Sequence, residues 1–188
     1  MATKIYIDQG HNPQNPNAGA EGNGYREQDL VYRIGAELAG ILLADGYDVR
    51  LSRPTADTQL GTSNASSLAA RVNEANAWGA DYFISLHANA SEITAASGTE
   101  ALVYRVDSTA GALARAIVQA VSAATGLPDR GVTPRTNLYV LKRTQMPAVL
   151  VELGFITNPT DAALMANSPA LFAQGVANGI NAFLGNNG

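Results

Sequence analysis

Two short runs of this chain are apolar at successive positions rather than at alternate ones: Tyr82-Phe83-Ile84-Ser85-Leu86 and Ala148-Val149-Leu150-Val151-Glu152-Leu153. Neighbouring side chains of a strand point to opposite faces, so such runs read as strands covered on both sides. Covering both faces takes helices, and the chain supplies them in alternation with strands. Lys4-Ile5-Tyr6-Ile7 opens as a strand. From near Glu27 to Gly46, the residues Leu30, Val31, Ile34, Leu38, Ile41 and Leu42 fall on one helical face. Asp48-Val49-Arg50-Leu51-Ser52-Arg53 alternates as a strand until Pro54 stops it. Leu68, Val72, Ala75 and Trp78 mark a second helix, closed by Gly79. Residues 99–105 read as a strand. Asp107 or Ser108 caps a helix that carries Leu113, Ile117, Val118 and Val121 and ends at Gly126 and Pro128. Leu138-Tyr139-Val140-Leu141 reads as a further strand. Asn158-Pro159 and Ser168-Pro169 each start a helix, the last with Leu171, Val176, Ile180 and Leu184 on its apolar face. The alternation predicts an α/β fold: a single-domain, open, mostly parallel twisted sheet of about six strands with helices on both faces. The expected domain covers residues 1–184, and residues 185–188 read as a flexible tail or linker stub.

With 188 residues, 46% of them hydrophobic, the chain can bury one core without staples. A net charge of −4 and the lack of any Lys/Arg run speak against a nucleic-acid partner. The absence of cysteine removes disulfides and thiolate metal ligands. No apolar stretch is long enough for a membrane span. Met1-Ala2-Thr3 leads directly into the first strand, so no signal peptide is expected in this chain. Either the protein is not exported by that route or a leader has been removed from it.

The chain holds only two histidines, His11 and His87, and each lies at or just past the end of an expected strand. In an open α/β sheet, ligands bind outside the carboxyl ends of the strands. Glu152 ends another buried run there, and Glu27 opens the first helix, whose N-terminus faces the same edge. Two imidazoles and one carboxylate are the ligand set of catalytic zinc hydrolases, with a fourth position open to water. A second, uncoordinated carboxylate is then needed as general base. Residue chemistry leaves open which glutamate is ligand and which is base, and Glu21 competes as a ligand from the same loop. A strand-end histidine alone is more often structural, and a first-turn Glu is favoured by the helix dipole in any case. Glu152 is harder to dismiss, because an unpaired carboxylate inside an apolar strand is costly. Arg71 and Arg130 read as surface or substrate-contacting residues rather than core. No nucleophile elbow, P-loop or dinucleotide fingerprint is present.

Four motifs resemble the zinc-dependent N-acetylmuramoyl-L-alanine amidases of type 3. They are Asp8-Gln9-Gly10-His11, Glu27-Gln28-Asp29, Ser85-Leu86-His87-Ala88-Asn89-Ala90, and the stretch from Met146-Pro147 through Glu152-Leu153-Gly154-Phe155 to Asn158. The resemblance spans residue 4 to about residue 183. It implies one catalytic Zn²⁺ on His11, Glu27 and His87, with Glu152 as base, and so demotes Glu21. It also implies hydrolysis of the amide between the lactyl group of N-acetylmuramic acid and L-alanine in peptidoglycan. Action at the cell wall follows: extracellular, periplasmic, or by release from a host cytoplasm if the protein is a phage endolysin. The expected state is a monomer, with any wall-binding module lying outside this chain. Alternatives are another zinc hydrolase of similar fold acting on a peptide terminus, or a non-catalytic wall-binding domain. Gln9 stands where the family usually has Pro, a change expected to affect only the turn. Some members carry a long inserted helix after the second histidine that blocks the site. The segment before Thr99 is too short for one here, so an open site is expected.

Overall fold

The computed structural model of the protein describes residues 2–185. Strand β1 (Lys4–Gln9) is followed by a small hairpin, β2 (Glu21–Gly22) and β3 (Tyr25–Arg26), and then by helix α1 (Glu27–Ala44). Next come β4 (Asp48–Leu51), α2 (Asn64–Trp78), β5 (Tyr82–Asn89), β6 (Thr99–Val103), α3 (Thr109–Thr125) and β7 (Asp129–Pro134). The chain continues through α4 (Tyr139–Arg143), β8 (Ala148–Phe155), α5 (Pro159–Asn167) and α6 (Pro169–Leu184). Gly185 is the left-handed C-cap of α6, and the rest of the expected tail, residues 186–188, lies outside the described residues.

One six-stranded sheet has the order β4-β1-β5-β8-β6-β7. β1 pairs in parallel with β4 on one side and β5 on the other, and β5 pairs in parallel with β8. The chain leaves β1 in one direction, to β4, and returns past it to β5. The strand order therefore reverses between β1 and β5, which puts a topological switch point at their carboxyl ends. β6 runs antiparallel to β8 because residues 90–98 are too few for a crossover and must turn back at the same edge. This segment carries no helix, as its length required.

Helices cover both faces, as the doubly apolar runs demanded. Ile5, Ile7, Ile84, Leu86, Val149 and Val151 pack under α1, α3 and α6. The alternate residues Tyr6, Phe83 and Leu150 pack against Val72 and Ala75 of α2 and Val140 and Leu141 of α4. Tyr6 stacks on Phe83 with ring centroids 5.5 Å apart.

One expected element changes type, and another appears where none was expected. Leu138-Tyr139-Val140-Leu141 is not a strand: residues 139–143 are helical, with Val140 and Leu141 buried against α2. A four-residue apolar run has no period long enough to separate the two readings. The sixth strand is instead β7, a polar segment with Gly131 inside it and Pro134 at its end. It lies at the sheet edge, where charge and proline discourage pairing with another chain.

Helices α3 and α6 approach unusually closely. A Cβ on Gly175 would stand 2.8 Å from the Cα of Val121, and one on Gly179 would overlap the backbone of Ile117. Alanine is the better helix former by about 1 kcal/mol, yet Gly179→Ala should destabilise the fold by about 1–3 kcal/mol through overpacking. Urea unfolding measures this directly. A stabilised variant would show that the two helices separate at little cost.

Candidate metal centre

The switch point brings three of the expected residues together. His11 follows β1, His87 is in β5, and Glu27 is the first residue of α1. Their ligand atoms lie within 4.8 Å of one another. Glu27 Oε1 is 3.2 Å from His11 Nε2 and 3.0 Å from His87 Nδ1. Ligands at about 2.1 Å from a tetrahedral metal stand about 3.4 Å apart, so these spacings suit a small divalent cation. The donor set, two imidazoles and a carboxylate, fits the same class.

Each candidate ligand is held by its own local structure. Glu27 is fixed by backbone donors: the N–H of Ala20 to Oε2 at 2.9 Å and the N–H of Ala88 to Oε1 at 3.0 Å. The second of these ties the start of α1 to β5. Burial works to raise the Glu27 carboxyl, but the two histidines beside it prevail and hold it well below the usual carboxylate range. For His87, burial disfavours the charged ring, and the Glu27 carboxylate more than offsets this and raises it. His11 has φ +67°, the left-handed region, which costs an L-residue roughly 1–2 kcal/mol. The turn that needs this conformation also needs Gly10. A Cβ there would lie 2.5 Å from His87 Cε1.

Glu152 is one strand over from His87, paired with it in register. Its Oε2 is buried without a hydrogen-bond partner among the described residues. Burial pushes its carboxyl up to about 7; His87 pulls it down, while Glu27 and Glu100 push it further up. Glu21, the competing ligand, is exposed and faces Arg26 at 3.9 Å instead. A cavity of about 120 Å³, lined by His11, His87, Leu68, Leu138, Tyr139 and Leu150 among others, lies beside the histidines on the side of α2 and α4.

Two expectations about polar residues need correcting, and one buried residue was missed. Arg71 is not at the surface: it is 1% exposed, and its Nη1 lies 2.6 Å from Asp8 Oδ1. The signal was present, because position 71 is three residues from Leu68 and four from Ala75 on the apolar stripe of α2. A charge on that stripe must be buried and paired. Gln9 does more than shape a turn. Its N–H donates to Ser52 Oγ at 3.0 Å, and its Oε1 accepts the N–H of Arg53 at 2.9 Å, so it fastens β1 to the end of β4. A proline could do neither. Arg53, assigned no role from sequence, is also 1% exposed and donates to the carbonyls of Gln28 and Ala56. Arg130 does stand at the surface, 3.6 Å from Glu100.

The chain matches the N-acetylmuramoyl-L-alanine amidase family over residues 5–182. It is 37% identical over 182 residues to the sporulation-specific N-acetylmuramoyl-L-alanine amidase of Bacillus subtilis, covering 94% of this chain and 66% of that protein. It is 33% identical over 188 residues to an endolysin of Bacillus phage SPP1, covering 96% of this chain and 65% of that one. The chain thus spans slightly under two thirds of each of these relatives. Among solved structures, the catalytic domain of the amidase CwlV from Bacillus (Paenibacillus) polymyxa var. colistinus superimposes with a TM-score of 0.85 at 32% identity. That match covers 97% of this chain and 98% of that one.

A methyl group at position 10 cannot be accommodated without moving His87. Gly10→Ala should therefore weaken divalent-metal binding at least about tenfold, the scale seen when groups that orient metal ligands are disturbed. Titration against a chromophoric chelator reads this. Unchanged affinity would show that the His87 ring is free to relax.

Proposed function

The chain belongs to the N-acetylmuramoyl-L-alanine amidase family, and from that premise we propose that it hydrolyses the amide between the lactyl group of N-acetylmuramic acid and L-alanine of the peptidoglycan stem. His11, Glu27 and His87 would hold one Zn²⁺, and Glu152 would serve as general base. Zinc in such a cradle supplies a Lewis acid that acidifies water and polarises a carbonyl. The observation that carries the reading is Glu152, whose unpartnered carboxylate oxygen lies one strand away from the three-donor cradle. A buried carboxylate without a structural partner is costly to keep, and a proton-transfer role gives it a use.

The chain's own groups divide the work. Glu152 takes a proton from the attacking water as the new C–O bond forms, and returns one to the alanine nitrogen as the C–N bond breaks. The products are a muramyl carboxylate and a free L-alanine amino group. Burial raises the Glu152 carboxyl above the ordinary carboxylate range in the metal-free chain, which makes it a stronger base than a solvated glutamate. Glu27 is kept ionised by its two backbone donors and by the imidazoles, so it remains a ligand rather than a second base. Segment 90–98 carries no helix that could cover the histidines, which supports an open approach to them.

The names of the relatives support action at the cell wall, in either a bacterial or a phage setting. Residues 1–184 would form the catalytic unit, acting as a monomer. Among the described residues, no helix is long and apolar enough to cross a membrane.

Purified cell wall is the substrate that tests this. Digestion should release new L-alanine amino ends while leaving the glycan intact, stop on chelation and resume with Zn²⁺. Glu152→Gln should retain zinc and lose at least about 100-fold in rate, and His11→Ala should lose both zinc and activity while staying folded. New D-alanine ends in place of L-alanine ends would point to a carboxypeptidase-type activity. Wild-type turnover by Glu152→Gln would falsify the assigned base.

A further inference from the structure

Arg71 is one of the largest fully buried side chains in the molecule, and it lies in helix α2, away from every proposed metal ligand in sequence. Its contacts converge on one turn. Nη1 donates to Asp8 Oδ1 at 2.6 Å and to the carbonyl of Gln9 at 2.7 Å, and more weakly to Ser52 Oγ at 3.4 Å. Nη2 donates to the carbonyl of His11 at 2.5 Å and to Asn12 Oδ1 at 3.3 Å. The other Asp8 oxygen accepts from Ser85 Oγ at 2.7 Å, two residues before His87 in β5. One guanidinium therefore grips the chain on both sides of Gly10, at the point where His11 is turned into the left-handed region.

We propose that Arg71 is a positioning residue for the metal centre. Its fork of donors holds residues 8–12 in the one turn that aims the His11 imidazole at Glu27 and His87. Arg71 acts through the His11 backbone and touches neither metal nor substrate. This rests on the reading of His11 as a zinc ligand. A simpler role, neutralising buried Asp8, needs only a positive charge. Holding the carbonyls of Gln9 and His11 together needs two nitrogens set apart in one rigid plane, which Arg has and Lys lacks.

Arg71→Lys separates the two roles, because it keeps the charge and removes the fork. The measurements are zinc affinity, by competition with a chromophoric chelator, and thermal unfolding of the metal-free chain. Positioning predicts a loss of about 10–100-fold in zinc affinity in a metal-free chain that still unfolds cooperatively, at a temperature lowered by the carbonyls left unpaired. The double variant Asp8→Asn/Arg71→Met removes both charges together and should show the same loss of affinity. Wild-type zinc affinity in a folded Arg71→Lys chain overturns the proposal. Failure of both variants to fold also overturns it, since Arg71 would then be a core residue only. His11→Ala is the control: if it binds zinc as tightly as wild type, the ligand reading itself has failed and the proposal falls with it.

Discussion

A guanidinium and a carboxylate 2.6 Å apart, with 1% and 2% of their side chains exposed, set the terms for the whole carboxyl edge of the sheet. Removing two ions from water costs several kcal/mol each even after relaxation. Their attraction offsets that cost only where the remaining donors and acceptors are also used. Asp8 uses its second oxygen on Ser85 of β5, and Arg71 uses both Nη groups on the chain around His11, leaving only its Nε without a partner among the described residues. The pair thus joins β1, β5 and α2 at the point where the strand order reverses. Burial pushes Asp8 toward protonation, but the adjacent Arg71 charge outweighs it and holds the carboxyl below its ordinary value. The clamp is therefore fully charged at neutral pH.

Around this clamp, three carboxylates of similar intrinsic acidity take different parts because their surroundings differ. Asp8 meets a permanent cation. Glu27 meets two imidazoles, which overcome the effect of burial, and is held in place by two backbone N–H groups. Glu152 meets little that compensates for its burial, since only His87 pulls it down while Glu27 and Glu100 push it up. Separation of acidities among neighbouring groups is the usual physical mark of divided roles at a reacting centre. A dication in the cradle would add a positive charge near Glu152 and favour its ionised form, the form that accepts a proton.

How much could be read before folding depended on the length scale of each signal. The runs at residues 82–86 and 148–153 were legible because each is short, rich in strand-forming residues and fits a strand covered on both faces. The helices were legible from period and, for two of them, from capping: Ser108 and Asn158 do accept from the first turns of α3 and α5, while the Ser63 cap of α2 went unread. Short elements were not. Residues 138–141 were read as a strand and are helical, and residues 129–134 were given no element and form a strand, because packing against neighbours decides such short segments. Val140 and Leu141 cover the smaller core from a single helical turn, and β7 is an edge strand that has little to bury. His11, Glu27, His87 and Glu152 could be listed as candidates from strand ends and a helix start. Their division into ligands and base came from the family resemblance, because spacing alone ranks no glutamate above another.

The sequence by itself determined the layers, the side chains available for chemistry, and the sheet edge at which they gather. Each of these follows from local periodicity and from the scarcity of histidine. The tertiary structure decided which of those side chains meet. Contacts such as Arg71 with the His11 carbonyl, and Glu27 with the N–H of Ala88, join residues some sixty positions apart. No local pattern encodes such a pairing, because its energy appears only when both partners are removed from water together.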